Sequence, residues 1–178
     1  MSDFIIKVAG KEHLKFAENI SAMIEKSSQN KKTGLAKRAP DYIKTKILED
    51  KAIIAIHHSS ALAGFCYIET WEGHNYVANS GLIVANKFRK KGLAKKIKKK
   101  IFEHSRSKFP GAKIFGLTTS LAVMKINADL GYKPVTFTEL TTDENFWAGC
   151  QSCANYDILC RTKRQNCICT GMLFDPDT

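Results

Sequence analysis

Gly81-Leu82-Ile83-Val84 and, just beyond it, Arg89-Lys90-Lys91-Gly92-Leu93-Ala94 are the stretch on which the reading of this chain turns. The first segment closes an apolar run, Tyr76 to Val84, that predicts a strand. Past Gly92 the period changes. Leu93, Ile97 and Ile101 stand four apart, which is helical spacing. A helix N-terminus presents backbone N–H groups without intrahelical partners and about half a positive charge. A glycine there lets an anion approach the backbone. Arg89, Lys90 and Lys91 add mobile cations beside it. Together these predict a phosphate site at a strand–helix junction. The plainer alternative is a glycine at a helix start followed by a solvated lysine face.

Upstream, Phe4 to Ala9 predicts a strand and Glu12 to Lys26 a helix, with Phe16, Ala17, Ile20, Met23 and Ile24 on one face. Ser27 to Arg38 reads as a polar, basic loop. Pro40 suits a first helical turn, and Tyr42, Ile43, Ile47 and Leu48 give that helix an apolar face. Lys51 to His57, Ala61 to Trp71 and Tyr76 to Val84 are strands with short links, hence an antiparallel meander. Downstream, Lys113 to Thr118 predicts a strand, Leu121 to Leu130 a helix stopped by Gly131, and Tyr132 to Leu140 a last strand. This order gives an α+β fold, a mixed and largely antiparallel sheet flanked by helices.

The chain has 178 residues, 44% hydrophobic and 25% charged, enough to bury one core. No apolar run approaches the roughly 20 residues of a membrane helix. The start, Met1-Ser2-Asp3-Phe4-Ile5-Ile6, lacks the pattern of a secretory leader. The expectation is a cytoplasmic protein without a membrane partner, its six cysteines being thiols or metal ligands. The net charge is +11, and the surplus is local: nine of the fourteen positions from Lys87 to Lys100 are Lys or Arg. That cluster lies along one helix without interleaved aromatics, which speaks against a nucleic-acid surface built on base stacking.

The pattern Arg89-x-x-Gly92-x-Ala94 after Gly81-Leu82-Ile83-Val84, with the element order around it, resembles the acyl-coenzyme A motif of the GNAT acetyltransferases. The resemblance covers about residues 3 to 140. It implies an acyltransferase domain over 1–140 and a cysteine-rich tail, 141–178, packed on the same domain. It implies acetyl-CoA, or another short acyl-CoA, as co-substrate. The backbone of Leu82, Ile83 and Val84 would pair with the pantetheine arm, and Arg89, Lys90, Lys91, Gly92, Leu93, Ala94 and Lys95 would hold the pyrophosphate. A split between this strand and Phe115 to Thr119 would admit the thioester.

Acyl transfer to an amine needs a proton acceptor, and Glu69, late in a central strand, is the base candidate. Its plain alternative is a strand-end carboxylate facing solvent. Asn79 and Ser80 stand where they would orient substrate or water. The leaving-group acid is where the sequence departs from the resemblance. Many GNAT proteins carry a tyrosine four residues before the helix-ending glycine, and here that position is Asn127. Asparagine can hydrogen-bond the cofactor but cannot donate a proton as tyrosine does. Arg38, in the loop before the second helix, suits an acceptor carboxylate.

The tail carries Cys150-x-x-Cys153 and Cys167-x-Cys169. Two close pairs fit a structural four-thiolate zinc site, with free thiols and disulfides as alternatives. Cys160 reads as an inward strand residue and Cys66 as core. The whole chain is similar to a bacterial GNAT subgroup whose genes lie beside arginine-biosynthesis genes. The matching stretches are Thr33-Gly-Leu-Ala-Lys-Arg38, Phe65-Cys-Tyr-Ile-Glu-Thr-Trp71 and Cys167-Ile-Cys-Thr-Gly-Met172. That resemblance implies glutamate as the amine partner and is compatible with a homodimer. The competing expectations are an inactive acyl-CoA-binding protein and a nucleic-acid-binding module.

Overall fold

The computed structural model describes residues 3–29 and 33–178. Residues 30–32 of the expected loop, and Met1-Ser2, lie outside the described residues. The strands are β1 (Phe4–Val8), β2 (Ala52–His57), β3 (Leu62–Trp71), β4 (Tyr76–Val84), β5 (Lys113–Thr118), β6 (Lys133–Val135) and β7 (Thr170–Phe174). The helices are α1 (Ala17–Ser28), α2 (Pro40–Leu48), α3 (Leu93–Lys108), α4 (Leu121–Asp129), α5 (Glu144–Ala148) and α6 (Tyr156–Arg161).

The strands form one seven-stranded sheet in the order β1-β2-β3-β4-β5-β7-β6. Every neighbouring pair is antiparallel except β4–β5. Alternation along β2 and β3 assigns the two faces. Ile53, Ala55, Cys66 and Ile68 pack with Leu93, Ile97 and Ile101 of α3 on one side. Ala52, Ile54, Phe65 and Tyr67 pack with Ile20 and Ile24 of α1 and Ile43 and Ile47 of α2 on the other. Ile97 and Ile101 are fully buried, each worth about 2 kcal/mol over leaving it exposed. A third cluster, with Phe115, Phe137, Trp147, Leu159 and Leu173, joins the tail to the far end of the sheet.

Three expectations are corrected. The first helix opens as a 3₁₀ turn, Lys11–Phe16, before α1 begins. The strand expected over Tyr132 to Leu140 ends at Val135, because Thr136 and Glu139 form a reciprocal cap that starts a 3₁₀ turn. Cys160 lies exposed on α6, not inward on a strand. The tail also supplies β7, which enters the sheet between β5 and β6 and buries Met172 and Leu173.

The feature that shapes the site is a fork. β4 and β5 pair only from Tyr76↔Lys113 to Ala78↔Phe115. Beyond that point Asn79 to Val84 and Gly116 to Thr118 line opposite walls of one cleft. On its other edge β4 carries a bulge against β3, where the register shifts between Phe65 and Tyr67. Gly81 sits there at φ +64°, and a Cβ on it would fall 2.1 Å from Cε1 of Tyr67. Only glycine satisfies both the backbone and the ring.

Candidate active site

The cleft encloses about 950 Å³ and runs from the start of α3, across the fork, to the loop before α2 and the tail. At its first end Gly92 is the N-cap of α3, at φ +71°, with no side chain capping the helix. The first helical bond recorded there is Lys96 N–H to Gly92 O, at 3.3 Å. The preceding amides of α3 therefore have no partner inside the helix. A Cβ on Gly92 would meet nothing within 4 Å, so the space in front of these amides is open. That is a cradle fitted to an anion, and the residues present suit a pyrophosphate.

The side chains of this segment divide. Arg89 lines the cleft and its Nε donates to Val84 O at 3.2 Å, tying the junction to the end of β4. Lys90 and Lys91 are exposed, and Ala94 lines the cleft. Leu93 turns into the core, and Lys95 Nζ pairs with Asp129 at 2.8 Å. Leu82, Ile83 and Val84 line the fork.

At the other end Glu69 is buried, 7% exposed. Its carboxylate accepts a hydrogen bond from the Tyr42 hydroxyl. Arg38 Nη2 stands 4.0 Å from Glu69 Oε1, and the Ser80 hydroxyl also bonds the carboxylate. Burial pushes the Glu69 pKa up, and Arg38 and Ser80 oppose that rise without cancelling it. Arg38 also donates from Nε to Tyr67 Oη at 2.9 Å and stacks over the Tyr42 ring. Lys46 covers the same ring, 5.0 Å from its centroid, and burial lowers its pKa. This end of the cleft is thus cationic around one buried carboxyl.

Sequence reasoning picked Glu69, Ser80 and Arg38, and the fold brings them together. It missed Tyr42, Tyr67 and Lys46. Asn79 behaves differently from Ser80. Its Nδ2 donates to Ser105 at 2.7 Å and its Oδ1 accepts from Tyr132 at 3.2 Å, so its side chain is committed beneath the sheet. Asn127 is 1% exposed and lines the cleft. Its Nδ2 reaches Met172 Sδ at 3.7 Å, while its Oδ1 has no partner among the described residues. Trp71 Nε1 is a second buried polar atom of the cleft lining without one. A buried donor and acceptor left open cost stability unless a ligand or water meets them.

The zinc expectation is not met by a formed site. Among the described residues no three of His, Cys, Asp and Glu are arranged to hold a metal ion. Cys150, Cys153, Cys167 and Cys169 do line one small cavity of about 40 Å³. Their sulfurs meet the backbone there: Asn155 N–H donates to Cys153 Sγ at 3.5 Å, and Cys167 Sγ faces Asn155 O at 3.9 Å. Burial pushes the Cys150 thiol up to about 11 and Cys169 to about 12. Cys150 lines the large cleft as well. No helix among the described residues is long and apolar enough to cross a membrane.

No protein-family model and no curated protein matches this chain. Solved structures do, at low identity. N-acetylglutamate synthase from Neisseria gonorrhoeae, complexed with coenzyme A and N-acetylglutamate, is 16% identical with a TM-score of 0.70. The match covers 98% of this chain and 35% of the synthase, so the chain spans about a third of that protein's length. A GNAT-superfamily phosphinothricin acetyltransferase from Sinorhizobium meliloti, with acetyl-CoA, gives 12% identity and a TM-score of 0.66, covering 98% of this chain and 89% of the other. The yncA protein of Salmonella typhimurium, with acetyl-CoA, gives 13% and 0.65, covering 99% and 96%. The fold is that of the GNAT acetyltransferases, the mixed sheet with a strand–helix junction that the sequence implied.

Proposed function

We propose that the chain is an N-acyltransferase that moves a short acyl group from coenzyme A to an amine. The observation that carries this reading is the cleft itself. An open helix N-terminus at Gly92 and a buried carboxyl at Glu69 stand at opposite ends of one fork in the sheet. The amides after Gly92, with Arg89, Lys90 and Lys91, would hold the pyrophosphate. The edge of β4 from Leu82 to Val84, which β5 leaves unpaired, would hold the pantetheine arm. Glu69 would take the proton that the amine sheds as its nitrogen bonds the acyl carbon. Its upward-shifted pKa brings it closer to the working pH of a general base. Tyr42 and Ser80 fix the carboxylate's orientation.

For the acceptor, the reading extends to an acidic amino acid, with glutamate as the named candidate. Arg38 and Lys46 support it, since a carboxylate entering this end would meet two cations while its amine faces Glu69. The likeness to a synthase bound to N-acetylglutamate supports it at the level of fold. The test is a CoA-release screen of amino acids and polyamines with acetyl-CoA and succinyl-CoA. Turnover of glutamate or aspartate is expected. Turnover of polyamines with silence on acidic amino acids would sink the acceptor assignment, and silence on every amine would sink the enzyme.

Zinc held by Cys150, Cys153, Cys167 and Cys169 belongs to this proposal as a clamp on the cleft wall. Four thiols lining one cavity support it, and the lack of an arranged ligand set opposes it. Metal analysis of the purified chain decides: about one equivalent supports the clamp, and a small fraction of that removes it.

A further inference from the structure

The departing CoA sulfur needs a hydrogen-bond donor and then a proton, and Asn127 cannot supply the proton. One unassigned group lines the same fork. Lys98, on the inner face of α3, is 2% exposed and ranks among the largest fully buried side chains of the fold. Buried lysines are rare unless paired, and no carboxylate pairs with this one among the described residues. Its Nζ reaches Asn79 O at the outer limit of a hydrogen bond, 3.5 Å, and stands 5.5 Å from the Tyr132 ring centroid. Three N–H donors thus share one distant acceptor.

The place of that acceptor matters. Asn79 is the first residue of β4 past its last pair with β5, so its carbonyl marks the apex of the fork. A Cβ on Gly116, across the gap, would stand 3.8 Å from this oxygen. Other donors nearby are committed. The Tyr132 hydroxyl donates to Asn79 Oδ1, and the Cys66 thiol to Ser80 O at 3.2 Å. Cys66 from β3 and Tyr132 from β6 are the titratable groups facing Lys98, and burial raises the pKa of both. Burial also pushes the Lys98 pKa down, with Cys66 opposing, so its ammonium gives up a proton more readily than an exposed lysine.

We propose that Lys98 is the donor to the leaving sulfur at the apex of the fork. The inference rests on the acyltransferase reading. As the amine nitrogen bonds the acyl carbon and the C–S bond breaks, the electron pair stays on sulfur, and Lys98 Nζ transfers a proton to it. The amine's proton goes to Glu69. Solvent then returns a proton to Lys98 and takes one from Glu69, so the net change is one proton moved from amine to thiol.

The experiment compares wild type with Lys98→Met in the full chain, using calorimetric CoA binding, saturating kcat and its pH profile, and thermal melting. Lys98→Met should bind CoA within about twofold, melt no lower than wild type, and lose about 10²–10⁴-fold in kcat. Wild-type kcat should fall on the alkaline side as Lys98 loses its proton, and the variant's profile should lack that limb. A variant kcat within threefold of wild type, the same alkaline limb in both, or a parallel loss of CoA binding would overturn the donor role while leaving the acyltransferase intact. A wild type that neither binds CoA nor turns over any amine would overturn the underlying reading, and this inference with it.

Discussion

Replacing Arg38 with methionine should cost the fold about 3 kcal/mol near neutral pH, and about two-thirds of that cost should depend on the charge of Glu69. Arg38 Nη2 lies 4.0 Å from Glu69 Oε1, with side-chain exposures of 17% and 10%. Unit charges at this spacing interact by about 4 kcal/mol at an effective dielectric near 20. The residual water contact roughly halves that, to about 2 kcal/mol, below the about 3–5 kcal/mol for breaking a fully buried pair. The Arg38–Tyr67 hydrogen bond adds about 1 kcal/mol. Urea unfolding of Arg38→Met, Glu69→Gln and the double variant closes the cycle. The amide introduced by Glu69→Gln still accepts the Tyr42 hydroxyl, so this substitution removes charge more than geometry.

The pH dependence has a definite sign. The folded-state pKa of Glu69 lies above its usual 4.5, and Arg38 is a factor holding it down. Removing Arg38 raises it further. The folded state then binds more protons than the unfolded chain across a wider window above 4.5, and stability falls as pH rises through that window. The Arg38→Met penalty should therefore be largest on the alkaline side and shrink toward pH 5. A coupling below about 0.5 kcal/mol, or a penalty that grows toward acid, would refute the pairing.

Gly92→Val should fold, because its Cβ enters open space, with about 1–2 kcal/mol of strain from φ +71°; CoA affinity by calorimetry should fall at least about tenfold, and unchanged affinity would remove the phosphate cradle. Gly81→Ala combines positive φ with a 2.1 Å clash on Tyr67 and should lose about 2–4 kcal/mol in denaturant unfolding. Lys98→Met exchanges a buried cation for an apolar chain of similar length and should gain about 1–3 kcal/mol, or roughly 2–4 °C of melting temperature per kcal/mol. Its gain should shrink as pH rises toward 10.5, since in that range the unfolded wild type binds a proton that the folded wild type does not.

The donor half of the site was legible because it is local. Strand, glycine and helix start are consecutive, so Val84, Gly92 and Ala94 announce their geometry by spacing alone. Glu69 and Arg38 were legible only as candidates. Tyr42, Tyr67 and Lys46 were hidden, because their roles depend on α2 lying across β3 and no spacing along the chain encodes that crossing. Lys98 was hidden for a different reason. It stands in a run of lysines that spacing assigns to a solvated face, yet it follows Ile97 on the inner edge of the helix. β7 was missed because Thr170-Gly171-Met172-Leu173-Phe174 is short and follows cysteines that drew a metal reading. The cap at Thr136-x-x-Glu139 was in the sequence and would have ended β6 correctly.

The seat of β7 between β5 and β6 also sets an order of events in time. Ile114 pairs with Phe174, about sixty residues further along the chain. At about 5–20 residues per second, a ribosome needs about 3–12 s to supply those residues. During that interval β5 has β4 on one edge for three residue pairs and nothing on the other. Such an unpaired strand edge is a template for pairing with another chain. The strand that closes the sheet therefore also ends the nascent chain's period of greatest exposure to aggregation.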